Sequence, residues 1–322
     1  MPGREPGHTM PLDPLLKAFL DELAAQPQPK LWELEPPAAR QMFAALMHAV
    51  GPKDVPIGKV ANFTIPGPGG DIAARSYLPV AAGSELQPTL VYFHGGGFVI
   101  GSVETYDGLC RMLANRSACR VISVEYRLAP EHKFPAAVDD ALAAVRWIET
   151  NAAQLGVDAN RLAVGGDSAG AALAAVVCQL ARDAGAPSLD FQMLLFPVTH
   201  IAAETNSRCA FASDYFLEAK GIEWFFNHYF GPETDVTDPR ASPLLSENMA
   251  SLPPAYIMVA GFDPLHDEGV AYAEKLRAAG VKVTLDAYPD MVHDFIYLQA
   301  VLPQAAEAIG NAANALKEVL AN

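Results

Sequence analysis

The chain has 322 residues, 51% of them hydrophobic, and its 22 basic and 37 acidic side chains give a formal net charge of −15. This acidic balance argues against nucleic acid and anionic membrane as partners, since both require clustered Lys and Arg. The hydrophobic content is sufficient for a large buried core, and the length is compatible with a single α/β unit.

The N-terminal part of the chain is predicted to be helical and to lie outside any sheet. Helical patterns of apolar side chains run through residues 11–50, without a strand pattern. Residues 1–9 lack the continuous apolar segment of a signal peptide, and Met10 is an alternative start. The chain has no apolar run as long as a membrane span, and its four cysteines form neither a C-x-x-C pair nor a disulfide framework. A cytoplasmic location is therefore expected.

Eight strands are predicted in the rest of the chain. Segments 59–65 and 71–78, joined by a Pro- and Gly-rich turn, predict a hairpin. Short apolar runs then alternate with helical patterns. The predicted strands are 89–93, 120–124, 162–165, 191–196, 255–260 and 281–288, and the predicted helices are 107–116, 135–151, 169–184, 267–279 and 303–320. This alternation predicts an α/β fold with an eight-stranded, mostly parallel sheet and helices on both faces.

One long segment between the sixth and seventh predicted strands interrupts the alternation. A structureless loop of that length is rare in a compact domain, so we expect a helical insertion. Its aromatic residues are expected to pack its core and to cover an apolar site as a lid. They are Phe211, Tyr215, Phe216, Trp224, Phe225, Phe226, Tyr229 and Phe230. The predicted division is N-terminal cap helices at 1–55, an α/β core at 56–200 and 246–322, and a cap insertion at 201–245.

The HGGGF segment at 94–98 directly follows a predicted strand. Three glycines also suit a plain flexible loop, but in acyl transfer their N–H groups can stabilise the oxyanion of a tetrahedral intermediate. Gly95 and Gly96 are predicted as donors, together with the N–H of Ala169, the residue after the nucleophile discussed next. His94 is expected to hold the loop and not to act as a base.

The strongest motif is GDSAG at 166–170. On its own it is a weak signal, because Gly and Ser are common in turns. Here it follows a predicted strand and precedes a predicted helix, the context that a nucleophile elbow requires. The glycines avoid clashes with neighbouring elements, and the helix N-terminus favours developing negative charge. Ser168 is therefore predicted as a nucleophile.

The acid and the base are expected in that order after the serine. His293 lies on the loop after the last predicted strand, whereas every other histidine precedes the serine, lies in the insertion or lies too early for the acid. Asp263, next to the end of the seventh predicted strand, is the predicted acid, which fixes the imidazole tautomer. Asp267 is better placed to cap the following helix. Asp290 and Asp294 flank the histidine, but they are too close to it in sequence to bind easily the imidazole nitrogen that points away from the serine.

These motifs resemble those of the hormone-sensitive-lipase-like family of microbial esterases, and the resemblance covers nearly the whole chain. Its segments are HGGGF at 94–98, YRLAPE at 126–131, FPAAVD at 134–139, GDSAG at 166–170 and DPLHDEG at 263–269. It implies an α/β-hydrolase fold capped by the N-terminal helices and the insertion, cleavage of short- to medium-chain carboxylic esters without a cofactor, and frequent homodimers. Three residues depart from the family pattern: Asp294 and Ala171 replace Gly, and His266 replaces Arg.

Other functions remain open at this point. The same triad serves lactone and amide hydrolases. Non-catalytic small-molecule receptors share the fold but lack a working histidine, so His293 argues against that class. A metal site is not supported by any H-x-x-x-H or similar ligand spacing.

Overall fold

The strands of the computed structural model, which describes residues 10–83 and 85–321, form one sheet. Their bounds are β1 Lys59–Gly67, β2 Gly70–Leu78, β3 Gln87–Phe93, β4 Arg120–Val124, β5 Val157–Asp167, β6 Phe191–Leu195, β7 Ala255–Phe262 and β8 Val283–Val292. The order is β1-β2-β4-β3-β5-β6-β7-β8, with β2 antiparallel to β1 and β4 and all other pairs parallel. The predicted sheet is confirmed. The expectations for residues 1–9 lie outside the described residues.

Helices cover both faces of this sheet. The described helices are α1 Pro14–Ala25, α2 Pro36–Val50, α3 Asp107–Ser117, α4 Ala136–Thr150, α5 Ala152–Leu155, α6 Ala169–Ala184, α7 Asn206–Ala210, α8 Ala219–Tyr229, α9 His266–Ala278 and α10 Pro303–Leu320. One core joins the sheet to α4, α6 and α9, and the other joins it to α3 and α10. Along β3, Val91 and Phe93 enter the first core and Leu90 and Tyr92 the second, as expected for parallel strands buried on both sides.

The N-terminal segment and the insertion contact each other. Lys30 Nζ lies 2.7 Å from Glu218 Oε1, just before α8, and the Trp32 ring packs against Gly221 inside that helix. Helix α2 is held to the core through Arg40, whose guanidinium donates to the carbonyl of Val99 at 2.8 Å and to a second carbonyl on the loop after β4. The two segments outside the sheet are therefore in direct contact with each other.

The insertion packs directly on the HGGGF loop. The Phe98 ring stacks on Tyr229 with centroids 4.0 Å apart, and the Phe225 ring lies against Gly97. Phe225 and Tyr229 are buried, as is Phe211 at the end of α7. These three aromatic residues of the insertion therefore serve as its core.

Two sequence-based expectations concern the surroundings of the protein. Among the described residues, no helix combines the length and apolar character needed to cross a membrane. Cys110, Cys119 and Cys178 are buried free thiols and Cys209 is an exposed one.

Candidate active site

Ser168 lies in the tight turn between β5 and α6 and has an unusual backbone conformation. Its φ is +52° and its ψ is −117°, a sparsely populated region for a residue with a side chain. A Cβ at Gly166 or Gly170 would overlap the carbonyl oxygen of Phe93. The two glycines of the motif therefore allow β3 to lie against the turn, which holds the serine at the carboxyl edge of the sheet.

Asp263 and His293 occupy the matching positions on neighbouring strands. Asp263 directly follows β7 and His293 directly follows β8, and carboxyl ends of parallel strands meet at one edge of a sheet. His293 Nε2 lies 3.0 Å from Ser168 Oγ, and its Nδ1 lies 2.7 Å from Asp263 Oδ2. The structure thus brings together the three residues predicted as nucleophile, base and acid.

Charge and burial oppose each other at the histidine. Burial lowers the pKa of His293, but the carboxylates of Asp263 and Asp294 outweigh it and raise the pKa to about 9. The second oxygen of Asp263 accepts the N–H of Leu265 at 2.8 Å. Asp263 is therefore held at both oxygens, one by the imidazole and one by the loop that leads into α9.

Asp167, the residue before the serine, binds the HGGGF loop. Its Oδ1 accepts the N–H of Gly95 at 3.0 Å and the Tyr92 hydroxyl at 2.6 Å, and its Oδ2 accepts the Tyr106 hydroxyl at 3.0 Å. Burial raises the pKa of Asp167 to about 6, although the hydroxyl donors oppose this rise. The buried carboxylate thus links the nucleophile elbow to the neighbouring loop.

This contact contradicts the predicted role of Gly95. An amide has one hydrogen, and that of Gly95 is already donated to Asp167. Gly96 and Gly97 are partly exposed, and their N–H groups have no hydrogen-bond acceptor among the described residues. Ala169 begins α6, and its N–H lies among the helix-terminal amides that lack an intrahelical partner.

His94 lies inside the loop and away from the triad. Its Nδ1 is 2.7 Å from the Gly95 carbonyl oxygen, and its own carbonyl accepts the Tyr126 hydroxyl at 2.6 Å. The imidazole stacks on the Tyr126 ring with centroids 4.4 Å apart. Burial lowers the pKa of His94, which favours the neutral ring. These contacts agree with the expectation that His94 holds the loop.

The expected role of Asp267 as a cap of α9 is wrong. The helix begins one residue earlier, at His266, so Asp267 lies inside its first turn. Its Oδ2 accepts the N–H of Ser207 at 2.9 Å, at the start of α7. Asp267 therefore attaches the insertion to the loop that carries the acid.

A buried ion pair, which sequence reasoning missed, strengthens the same attachment. Glu268 is fully buried and lies 2.7 Å from Arg208 in α7. Its other oxygen accepts the N–H of Thr199 at 2.8 Å, on the loop after β6. The only sequence signal was the presence of Glu268 in the DPLHDEG segment.

Replacing Arg208 by Ala is expected to lower the free energy of unfolding by about 3–5 kcal/mol, because it leaves the Glu268 carboxylate buried without its partner. Urea unfolding measures the loss. The matched control is Arg240→Ala, which removes a more exposed pair with Asp238 and should cost less than about 1 kcal/mol. Equal losses for the two variants would contradict this account of the insertion.

Comparison with protein families gives one match that covers most of the chain. A family model described as the alpha/beta hydrolase fold matches residues 90–297. Among curated proteins, the carboxylic ester hydrolase LipN of Mycobacterium tuberculosis is 45% identical over 267 residues, which are 81% of this chain and 70% of LipN. The ethyl acetate hydrolase of Pseudomonas putida is 44% identical over 245 residues, 75% of each chain.

Solved structures agree with this result. The ester hydrolase EH1AB1 from the metagenome of Lake Arreo superposes with a TM-score of 0.95 at 46% identity and covers 97% of this chain and 100% of its own. The hyperthermophilic esterase of the archaeon Pyrobaculum calidifontis superposes with a TM-score of 0.91 at 42% identity and covers 96% and 99%. Both likenesses extend over nearly the entire chain.

Proposed function

The chain belongs to the hormone-sensitive-lipase-like family of α/β hydrolases, and on that premise we propose that it is a carboxylesterase that uses Ser168 as nucleophile, His293 as base and Asp263 as acid. The observation that carries this proposal is the unbroken line of short contacts from Ser168 Oγ through both imidazole nitrogens to Asp263. All three side chains are less than a tenth exposed. A continuous relay of this kind also argues against a non-catalytic receptor.

In the first half of the reaction, Ser168 Oγ attacks the carbonyl carbon of the ester while His293 Nε2 takes the hydroxyl proton. Asp263 stabilises the imidazolium that forms and keeps the Nδ1 proton in place. The tetrahedral intermediate then collapses, the C–O bond to the alcohol breaks, and Nε2 returns the proton to the leaving oxygen. The product of this half is an acyl-enzyme on Ser168.

The negative charge on the intermediate requires preorganised donors. We assign them to the N–H groups of Gly96, Gly97 and Ala169, with Gly97 replacing the expected donor at Gly95. The support for this choice is that Gly95 is engaged by Asp167, whereas the other three N–H groups have no acceptor among the described residues. In the second half of the reaction, His293 activates water, which releases the acid through the same steps.

The cap layer formed by the N-terminal segment and the insertion is proposed to limit the substrate to short and medium acyl chains. The contacts of Tyr229 and Phe225 with the HGGGF loop support this role, since they place the insertion beside the proposed oxyanion donors. Each methylene that becomes buried contributes about 0.8 kcal/mol, or nearly fourfold in kcat/KM. Methylenes beyond the available space gain nothing.

We therefore expect kcat/KM to rise with acyl length, pass through an optimum at short to medium chains and then fall, with poor activity on emulsified long-chain fats. The measurement is a series of aryl esters of increasing acyl length, with a lactone and an amide of matched size in parallel and Ser168→Ala as the inactive control. Faster hydrolysis of the lactone or the amide would replace the ester proposal by that alternative.

Removal of residues 1–35 should shift this optimum and leave the triad chemistry intact. Since Leu16 in α1 is fully buried, Trp32→Ala serves as a milder second variant, which removes the ring that contacts Gly221 and lies under the Lys30 ammonium. The matched control is Trp147→Ala. It removes a Trp ring of α4 that stacks on Phe63 of β1 and belongs to neither the N-terminal segment nor the insertion. If folded Trp32→Ala and the truncated chain both keep the parent profile, the N-terminal helices only pack.

A further inference from the structure

Asp294 faces the catalytic nitrogen that Ser168 also faces. Its Oδ2 lies 3.4 Å from His293 Nε2, compared with 3.0 Å for Ser168 Oγ. Asp263 occupies the opposite nitrogen of the same ring. The imidazole is therefore placed between two carboxylates, and the second of them is on the side where the proton must pass during catalysis.

The surroundings of Asp294 do not explain it as a structural residue. Its Oδ1 is buried and has no hydrogen-bond partner among the described residues, and a buried acceptor without a partner costs free energy. Its backbone has φ +55° and ψ +23°, the left-handed region that glycine occupies without penalty. The unpaired carboxylate oxygen is thus unfavourable for stability, and the backbone is one that glycine would adopt more readily.

We propose that Asp294 is a positioning residue for ester hydrolysis, whose carboxylate competes with Ser168 for the proton on His293 Nε2 and so determines the pH at which the base becomes available. This inference rests on the proposed function of His293. The proton on Nε2 has two acceptors on one side of the ring, and the reaction proceeds only when Nε2 is free to accept the serine proton.

The charges around the pair are few and can be named. Among the described residues, the ionisable side chains that interact with His293 or Asp294 are Asp167, Asp263, Tyr106 and Tyr297. Burial keeps the pKa of both tyrosines well above its usual value, so these hydroxyls stay neutral. Changes of charge in the working pH range are therefore confined to the carboxylates and the imidazole.

The pKa values agree with competition for one proton. Burial raises the pKa of Asp294 to about 8, and the carboxylates of Asp167 and Asp263 add to this rise while His293 opposes it. In turn, Asp294 is one of the charges that raise the pKa of His293. Two groups that interact so strongly titrate as a pair, and loss of the carboxylate leaves an imidazole that deprotonates at lower pH.

The test is the pH profile of kcat/KM for Asp294→Asn, because Asn removes the charge and tolerates a left-handed backbone. The acid limb should move down by roughly one pH unit, which is about tenfold more activity on that limb. At alkaline pH the variant should be slower than the parent, because the imidazolium of the transition state has lost a stabilising charge. The two profiles should therefore cross, which a general loss of structure does not produce.

Two further variants complete the experiment. Asp294→Gly relieves the backbone and removes the same charge, so its acid limb should move in the same direction. Asp290→Asn removes an equal charge from β8, at a residue that forms no hydrogen bond or ion pair with His293 among the described residues, and should leave the limb in place. An NMR titration of the His293 ring nitrogens, assigned with His293→Gln, measures the pKa without turnover and should show the same downward shift.

A limb that stays fixed in both Asp294 variants, or that moves equally in Asp290→Asn, would overturn the role of Asp294. The proposed function fails in a different way, through activity that survives Ser168→Ala. The two failures are therefore distinguishable.

Discussion

Replacing Ser168 or His293 by Ala is expected to lower kcat on a short-chain aryl ester by about 10⁴–10⁶-fold, and the double variant should be little slower than either single one. The reason is that, in the proposed mechanism, Ser168 Oγ and His293 Nε2, which lie 3.0 Å apart, carry out one proton transfer. Loss of either partner abolishes the whole step, so the two losses do not add.

The controls for this result come from the same residue types elsewhere. Ser213 and His48 are exposed, and their Ala variants should retain parent activity. Circular dichroism establishes that each variant is folded. More than a few per cent of parental kcat in folded Ser168→Ala would rule out the proposed mechanism.

The second large effect is expected at Asp263. Asp263→Asn should lower kcat by about 10⁴-fold, as in serine proteases with the same arrangement, because an amide in contact with Nδ1 favours the wrong imidazole tautomer. The expectation rests on the 2.7 Å contact between Asp263 Oδ2 and His293 Nδ1.

Asp267→Asn is the matched control, since it removes an equal charge four residues away. It keeps an oxygen that can accept the Ser207 N–H, but this hydrogen bond loses its charge, so we expect a loss on the order of 1 kcal/mol in stability and little change in kcat. Steady-state kinetics and urea unfolding of both variants separate the two roles. A large kinetic loss at Asp267 with a mild one at Asp263 would reverse the assignment of the acid.

The sequence predicted the elements best where local chemistry marks their ends. Helix α6 ends before Gly185, which has φ +72°, and α10 has Pro303 in its first turn; both helices have the predicted bounds. Strand β5 begins five residues earlier than predicted, at Val157, because its polar first part makes no apolar run. Strand β8 continues through Pro289, which is tolerated because β8 is the edge strand.

The nucleophile, acid and base could be predicted from sequence because each of the three residues directly follows a recognisable strand. The error at Gly95 has a different origin. Which glycine N–H is free depends on the Asp167 carboxylate, which reaches the loop from another strand, and no local pattern reports such a contact. The same holds for Asp294, since adjacency in sequence does not indicate which imidazole nitrogen its carboxylate faces.

The carboxylate of Asp167 has a consequence for the energetics of each turnover. It joins the turn that carries the proposed nucleophile to the loop that carries the proposed oxyanion donors, through a contact that is fully buried. The conformational entropy of bringing these two segments together is therefore lost once, when the chain folds, and not again in every catalytic cycle. Dipoles that are already oriented need no rearrangement as charge develops on the substrate, so the activation barrier contains little contribution from ordering this part of the protein.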